Sequence, residues 1–183
     1  MNFNRHFELE GRHAPFSASQ SSWLRYDDDK LLARYSTIQA AAHGTRLHAW
    51  AKETIDLGLR QPEIKKTINM YVNDAISFGM KTEVVLFYSK YFFGTADTIA
   101  FRNNFLRIHD LKTGEHRATR EQLEVYSALF CLEYKIRPGD IQIELRIYQN
   151  NSVDVWTPTT DRIAHIMDRI VHNTKLLEKC EEV

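Results

Sequence analysis

The sequence predicts an α/β fold: a central mixed β-sheet flanked by helices, with a helical region at the N-terminal end. Three observations carry that reading. Apolar residues recur at helical spacing through most of the first 80 positions. After Gly79 the period shifts to segments rich in β-branched and aromatic residues. Beyond those, helix and strand patterns alternate, giving the order helices, three strands, helix, strand, helix.

Residues 1–16 are polar and suit an irregular or strand-like arm. Ser17-Ala18-Ser19-Gln20 matches a capping box, so a short helix is expected through Trp23 and Leu24. From Asp27 the pattern is helical, with acidic residues at its start and Leu31, Leu32, Tyr35, Ile38, Leu47, Trp50, Ala51 and Ile55 as its apolar positions. Gly44-Thr45 interrupts it, which predicts two helices with Thr45 capping the second. Pro62 is expected to open a further helix over 63–78, carrying Ile64, Ile68, Tyr71, Val72 and Ile76. Strands are predicted over 82–88, 92–101 and 105–112, a helix over 119–135 that stops before Pro138-Gly139, and a strand over 140–148. Asn150-Asn151 makes a turn, and a helix over 160–177 ends the series.

Composition limits the function. A chain of 183 residues suits one domain with one core, since domains run to about 100–200 residues. The expected layout is therefore a single domain over 1–183, with a helical region over 17–80, a sheet-and-helix core over 81–150 and a last helix over 159–178. Lys and Arg total 24 and so do Asp and Glu, giving a net charge of zero. That balance argues against a coat protein held on nucleic acid by bulk charge, and leaves room for a local basic groove. The two cysteines, Cys131 and Cys180, match no metal spacing and cannot hold an iron–sulfur cluster. The N-terminal residues have no apolar signal region and no stretch approaches a membrane span of about 20 residues, so a cytoplasmic protein with no membrane partner is expected.

Chemistry concentrates in two stretches, Phe93-Gly94-Thr95-Ala96-Asp97 and Ile108-His109-Asp110-Leu111-Lys112-Thr113-Gly114. On a strand, Asp110 and Lys112 project from one face beside Leu106 and Ile108. Charges on a partly buried face need each other, a third charge or a metal. Asp97 falls on the neighbouring strand of a hairpin and supplies a second carboxylate, making a hard-oxygen site suited to Mg²⁺ or Mn²⁺. Gln122 and Tyr126 share one face of the following helix. Arg117 and Arg120, near its start, are candidates for phosphate contacts. His48 lies one turn beyond Gly44-Thr45. Taken alone, Asp-Leu-Lys reads as a surface ion pair.

In order, Gly44-Thr45 with His48, Gly94 with Asp97, Asp110 with Lys112-Thr113-Gly114, and Gln122 with Tyr126 resemble the motif series of the RecB-type nucleases in the PD-(D/E)XK superfamily. The resemblance spans about residues 17–150. It implies a restriction-endonuclease-like core and a Mg²⁺- or Mn²⁺-dependent DNA nuclease, acting as an exonuclease in recombination, repair or replication. By that resemblance His48, Asp97, Asp110 and the Leu111 carbonyl would ligate the metal. Lys112 would orient the attacking water and stabilise developing charge, while Gln122 and Tyr126 would position the strand and contact DNA. The cysteine-poor, stand-alone form is similar to bacteriophage nucleases. That implies DNA, a single-strand annealing or other recombination protein, or further copies of the chain as partners, in a bacterial or infected cytoplasm. The competing reading is a catalytically silent protein of the same fold that binds DNA or protein. A third is a structural α/β protein whose charges are ion pairs.

Overall fold

Helix α1 (Asp28–Asp56) runs unbroken through Gly44-Thr45, where two helices were expected. Thr45 Oγ1 donates to the Ala41 carbonyl at 3.1 Å, one turn back within the helix, instead of capping a new one. A glycine in a helix costs about 1 kcal/mol, less than leaving the backbone groups of a break unpaired. Asp27 starts the helix by accepting the Lys30 N–H at 2.8 Å. The expected capping box is also absent: Ala18–Arg25 is 3₁₀ helix, and the Ser17 hydroxyl meets Ser19 Oγ rather than a backbone N–H.

The remaining elements are α2 (Thr67–Ser77), β1 (Lys81–Ser89), β2 (Phe92–Arg102), β3 (Phe105–Leu111), α3 (Glu121–Glu133), β4 (Gln142–Gln149), β5 (Ser152–Trp156) and α4 (Thr160–Glu181). These come from a computed structural model that describes Phe7, residues 14–114 and residues 118–181. The arm expected over 1–16 therefore lies largely outside the described residues. The chain divides into two compact units, Met1–Thr45 and Arg46–Val183. In the first, Trp23 Nε1 donates to the Ser17 carbonyl at 3.0 Å and the Phe16 and Tyr35 rings lie 6.3 Å apart.

The second unit carries a five-stranded mixed sheet in the order β1-β2-β3-β4-β5. Neighbours are antiparallel except β3 and β4, which are parallel and joined through α3. Sequence reading missed β5. Its alternation, Val153 and Val155 against Ser152 and Asp154, spans only five residues, and they join the sheet because the Asn150-Asn151 turn returns the chain alongside β4. Both asparagines sit at positive φ, 51° and 55°, as a two-residue hairpin turn of the primed type requires. Helix α2 is shorter than expected, because Pro62 leads into turns and the helix begins only at Thr67.

Strand alternation separates two cores. Ile143, Leu145 and Ile147 of β4 join Leu106 and Ile108 of β3 under α3 and α4. Tyr148 and Leu111 face the other way, against α2 and the Ala51–Ile55 end of α1. The strand β3 is thus covered on both faces, and its residues from Ile108 to Leu111 are all buried.

Asn151 does more than turn the chain. Its Oδ1 accepts the Thr67 N–H at 3.0 Å, and its own N–H donates to Thr67 Oγ1 at 2.7 Å, which caps α2 from outside the helix. Lys66 at the cap position offers no side-chain bond. Asn150→Gly is therefore expected to be close to neutral, whereas Asn151→Gly keeps the turn but loses about 1 kcal/mol of stability. Urea unfolding of the two variants separates these outcomes.

Candidate active site

The β3 strand ends with Asp110 and Leu111, and the chain leaves the sheet at Lys112. Strand pairing continues one residue further, since the Lys112 N–H donates to the Tyr148 carbonyl at 2.9 Å. That bond holds the Lys112 backbone while its side chain turns back over the sheet. Lys112 Nζ lies 3.1 Å from Asp110 Oδ1 and 3.0 Å from Oδ2, and donates to Gln122 Oε1 at 2.9 Å. Gln122 in turn donates from Nε2 to the Tyr126 hydroxyl at 3.3 Å. Lysine, carboxylate, amide and phenol thus form one connected run from β3 onto the first turn and a half of α3.

Asp97 joins from β2. Its Oδ2 accepts the Leu111 N–H at 3.0 Å and lies 3.3 Å from His48 Nδ1. The Leu111 N–H points away from β4, so the carboxylate ties β2 to β3 just past the last ladder pair, Thr98 with His109. Across β1, the pairs Thr82–Thr98 and Val84–Ala96 leave Glu83 opposite Asp97, and Glu83 adopts φ of 50°. The ladder is irregular where the carboxylate is presented.

The electrostatics differ between the two acids' surroundings. Asp110 is 2% exposed. Burial first, and then the field of Asp97, hold its carboxyl above the usual range, against the pull of Lys112 and His48. Although Lys112 Nζ is near both oxygens, Asp110 Oδ2 has no well-aligned hydrogen-bond partner. His48 is raised above the ordinary imidazole value, chiefly by its hydrogen bond to Asp97. Behind the strand, His109 is fully buried, and desolvation with the fields of Arg146 and Arg107 pushes it down to about 3. It is neutral at physiological pH.

His48, Asp97, Asp110, Leu111, Lys112, Gln122 and Tyr126 are brought to one end of the sheet. Among the described residues, no group of three or more His, Cys, Asp or Glu side chains is arranged to hold a metal ion as it stands. The donor chemistry nonetheless fits a divalent cation. Two carboxylates disfavour each other, an imidazole adjoins one of them, and a buried carboxylate oxygen lacks a bonded partner. Arg120 is engaged elsewhere: its guanidinium makes two bonds to Asp154, at 2.9 and 2.6 Å, and stacks on Trp156. Arg117 lies outside the described residues.

Gly94 has a packing reason. A Cβ there would lie 2.8 Å from Tyr126 Cε1, so only glycine lets the α3 phenol settle against β2. The two motifs are one contact. Sequence reading missed Tyr148 and Asp74, which share a 2.6 Å bond from the phenol to Asp74 Oδ2, while Tyr148 also supplies the carbonyl that holds Lys112. Tyr148 sat on the polar side of the alternation, and nothing in the sequence marked Asp74. No family model matches the chain, and neither does any curated protein or solved structure.

The His48–Asp97 contact has a pH signature. Because the folded imidazole pKa is raised, its stabilising contribution is complete below about 6.5 and is lost as pH rises through the folded value. In metal-free protein, NMR titration of His48 is expected to give a pKa above 6.5 that returns to the ordinary range in Asp97→Asn. An unchanged value in that variant would remove Asp97 as the cause.

Proposed function

We propose that the chain is a divalent-metal-dependent DNA nuclease with a restriction-endonuclease-like core, cleaving phosphodiester bonds as an exonuclease. The observation that carries the reading is the Lys112 ammonium, bonded at once to Asp110 and Gln122 beside the Asp97–His48 pair. Residues from four separated motifs meet there. An isolated surface ion pair would not require the lysine to be held by an amide from the next helix.

Asp97, Asp110 and His48 would hold the cation, with the Leu111 carbonyl beside them. The bound cation supplies Lewis acidity, lowering the pKa of coordinated water and polarising the scissile phosphate. The protein's own groups do the rest. His48 and the Leu111 N–H orient the Asp97 carboxylate. Burial keeps Asp110 poorly hydrated and therefore receptive to positive charge. Lys112 donates to a water or to a phosphate oxygen as negative charge grows on it, and Gln122 fixes the ammonium so that little reorganisation is needed. Tyr126, packed on Gly94, holds the Gln122 amide from behind.

Wild-type protein is expected to degrade linear DNA with Mg²⁺ or Mn²⁺ and to be inert in chelator. Asp110→Ala and Lys112→Ala should each lose about 100-fold or more of that rate. Retention of full activity in either variant would overturn the assignment. DNA binding without cleavage would instead support the silent accessory protein. A stability readout is independent of turnover. Asp110 has a raised folded pKa, so its burial weighs against the fold as pH rises through that value. Metal-free Asp110→Asn is accordingly expected to melt no lower than wild type at pH 7. Added Mn²⁺ should raise the melting temperature of wild type and leave the variant unmoved.

A further inference from the structure

A second feature lies at the other end of β2, built from none of the residues of the candidate metal site. The start of β1, the end of β2 and the last turn of α3 enclose a groove of about 270 Å³. Val84 and Ile99 are among its apolar lining residues. One wall is a run of aromatic rings, with Phe101 and Phe130 centroids 5.1 Å apart and Phe130 and Tyr134 4.8 Å apart. Phe130 is buried, whereas Phe101 and Tyr134 leave 37% and 53% of their surface open. The two outer rings lie at 55° and 40° to Phe130, which backs both.

Lys81 and Arg102 stand at the rim. Among the described residues neither makes a salt bridge: Asp56, whose field reaches Lys81, has its oxygens bonded to Lys52 and Thr82. Arg102 is pinned by a bond from Nη2 to the Gly79 carbonyl at 3.3 Å. Gly79 has φ of 59°, and a Cβ there would meet Arg102 Nη2 at 2.7 Å, so the glycine both makes the turn and admits the guanidinium. Two cations with no carboxylate bonded to them, beside apolar rings, suit an anion that carries a flat ring.

Size and charge narrow the occupant. The groove is slightly smaller than the roughly 300–1,000 Å³ of most ligand pockets, enough for one ring system and one anionic group. Two cations match a phosphate better than a single carboxylate. The geometry points to a binding site for a nucleoside monophosphate, its base stacked on Tyr134 and Phe101 and its phosphate between Lys81 and Arg102. The inference does not depend on the metal-site reading.

Titration of the full chain in chelator with 2′-deoxyadenosine 5′-monophosphate tests it, followed by NMR at the Val84 and Ile99 methyl groups. Saturable shifts are expected, with deoxyadenosine alone and inorganic phosphate alone each at least about tenfold weaker. Arg102→Gln and Tyr134→Ala, both at exposed side chains, should each weaken binding about tenfold, the scale of one lost charge-assisted or stacking contact. Lys81→Gln provides a third variant should either melt early. Absent shifts at both methyl groups would overturn the proposal, as would undiminished binding in the variants. Benzoate binding as tightly as the nucleotide would overturn the phosphate assignment.

Discussion

The parallel pairing of β3 with β4 is the constraint from which the rest of the second unit follows. Two parallel neighbours cannot be joined by a tight turn, so the chain leaving Leu111 must cross one face of the sheet before it returns. That crossover is α3. It covers Leu106 and Ile108, and it brings Gln122 beside the strand end that it has just left. The amide that holds Lys112 is therefore a consequence of topology. Asp110 likewise lies near the carboxyl end of β3, where open α/β sheets place ligand-binding groups.

Placing a carboxylate at that strand end has a cost that the neighbours only partly offset. Asp110 is enclosed on a face otherwise lined by leucine and isoleucine, with Lys112 bonded to it. Asp97 adds a second negative charge, steadied by His48 and a backbone N–H. Perturbed acids of this kind mark a candidate site. The opposite face is arranged differently. There Asp74, Tyr148, Arg146 and Glu144 satisfy one another, and His109 stays neutral among cations.

Much of this was legible in the sequence, and the failures have physical causes. Strands β1 to β4 and helices α3 and α4 followed from period and punctuation, because burial on a known face imposes those periods. Helix α1 was misread at Gly44 because a local propensity of about 1 kcal/mol is easily overridden within a long helix. Strand β5 was missed because it pairs through backbone bonds that any side chains allow. Arg120 read as a free phosphate contact because its partner, Asp154, sits on that unpredicted strand.

The sequence by itself determined the element types, the motif residues and the charge balance, all of which depend on neighbours within a few positions. Tertiary structure alone decided that Gly94 exists to admit Tyr126, that Gln122 of the next helix holds Lys112, and that Asn151 caps a helix begun 84 residues earlier. Those contacts join positions far apart in the chain. Their energies depend on distances that only the packed sheet and its crossover set.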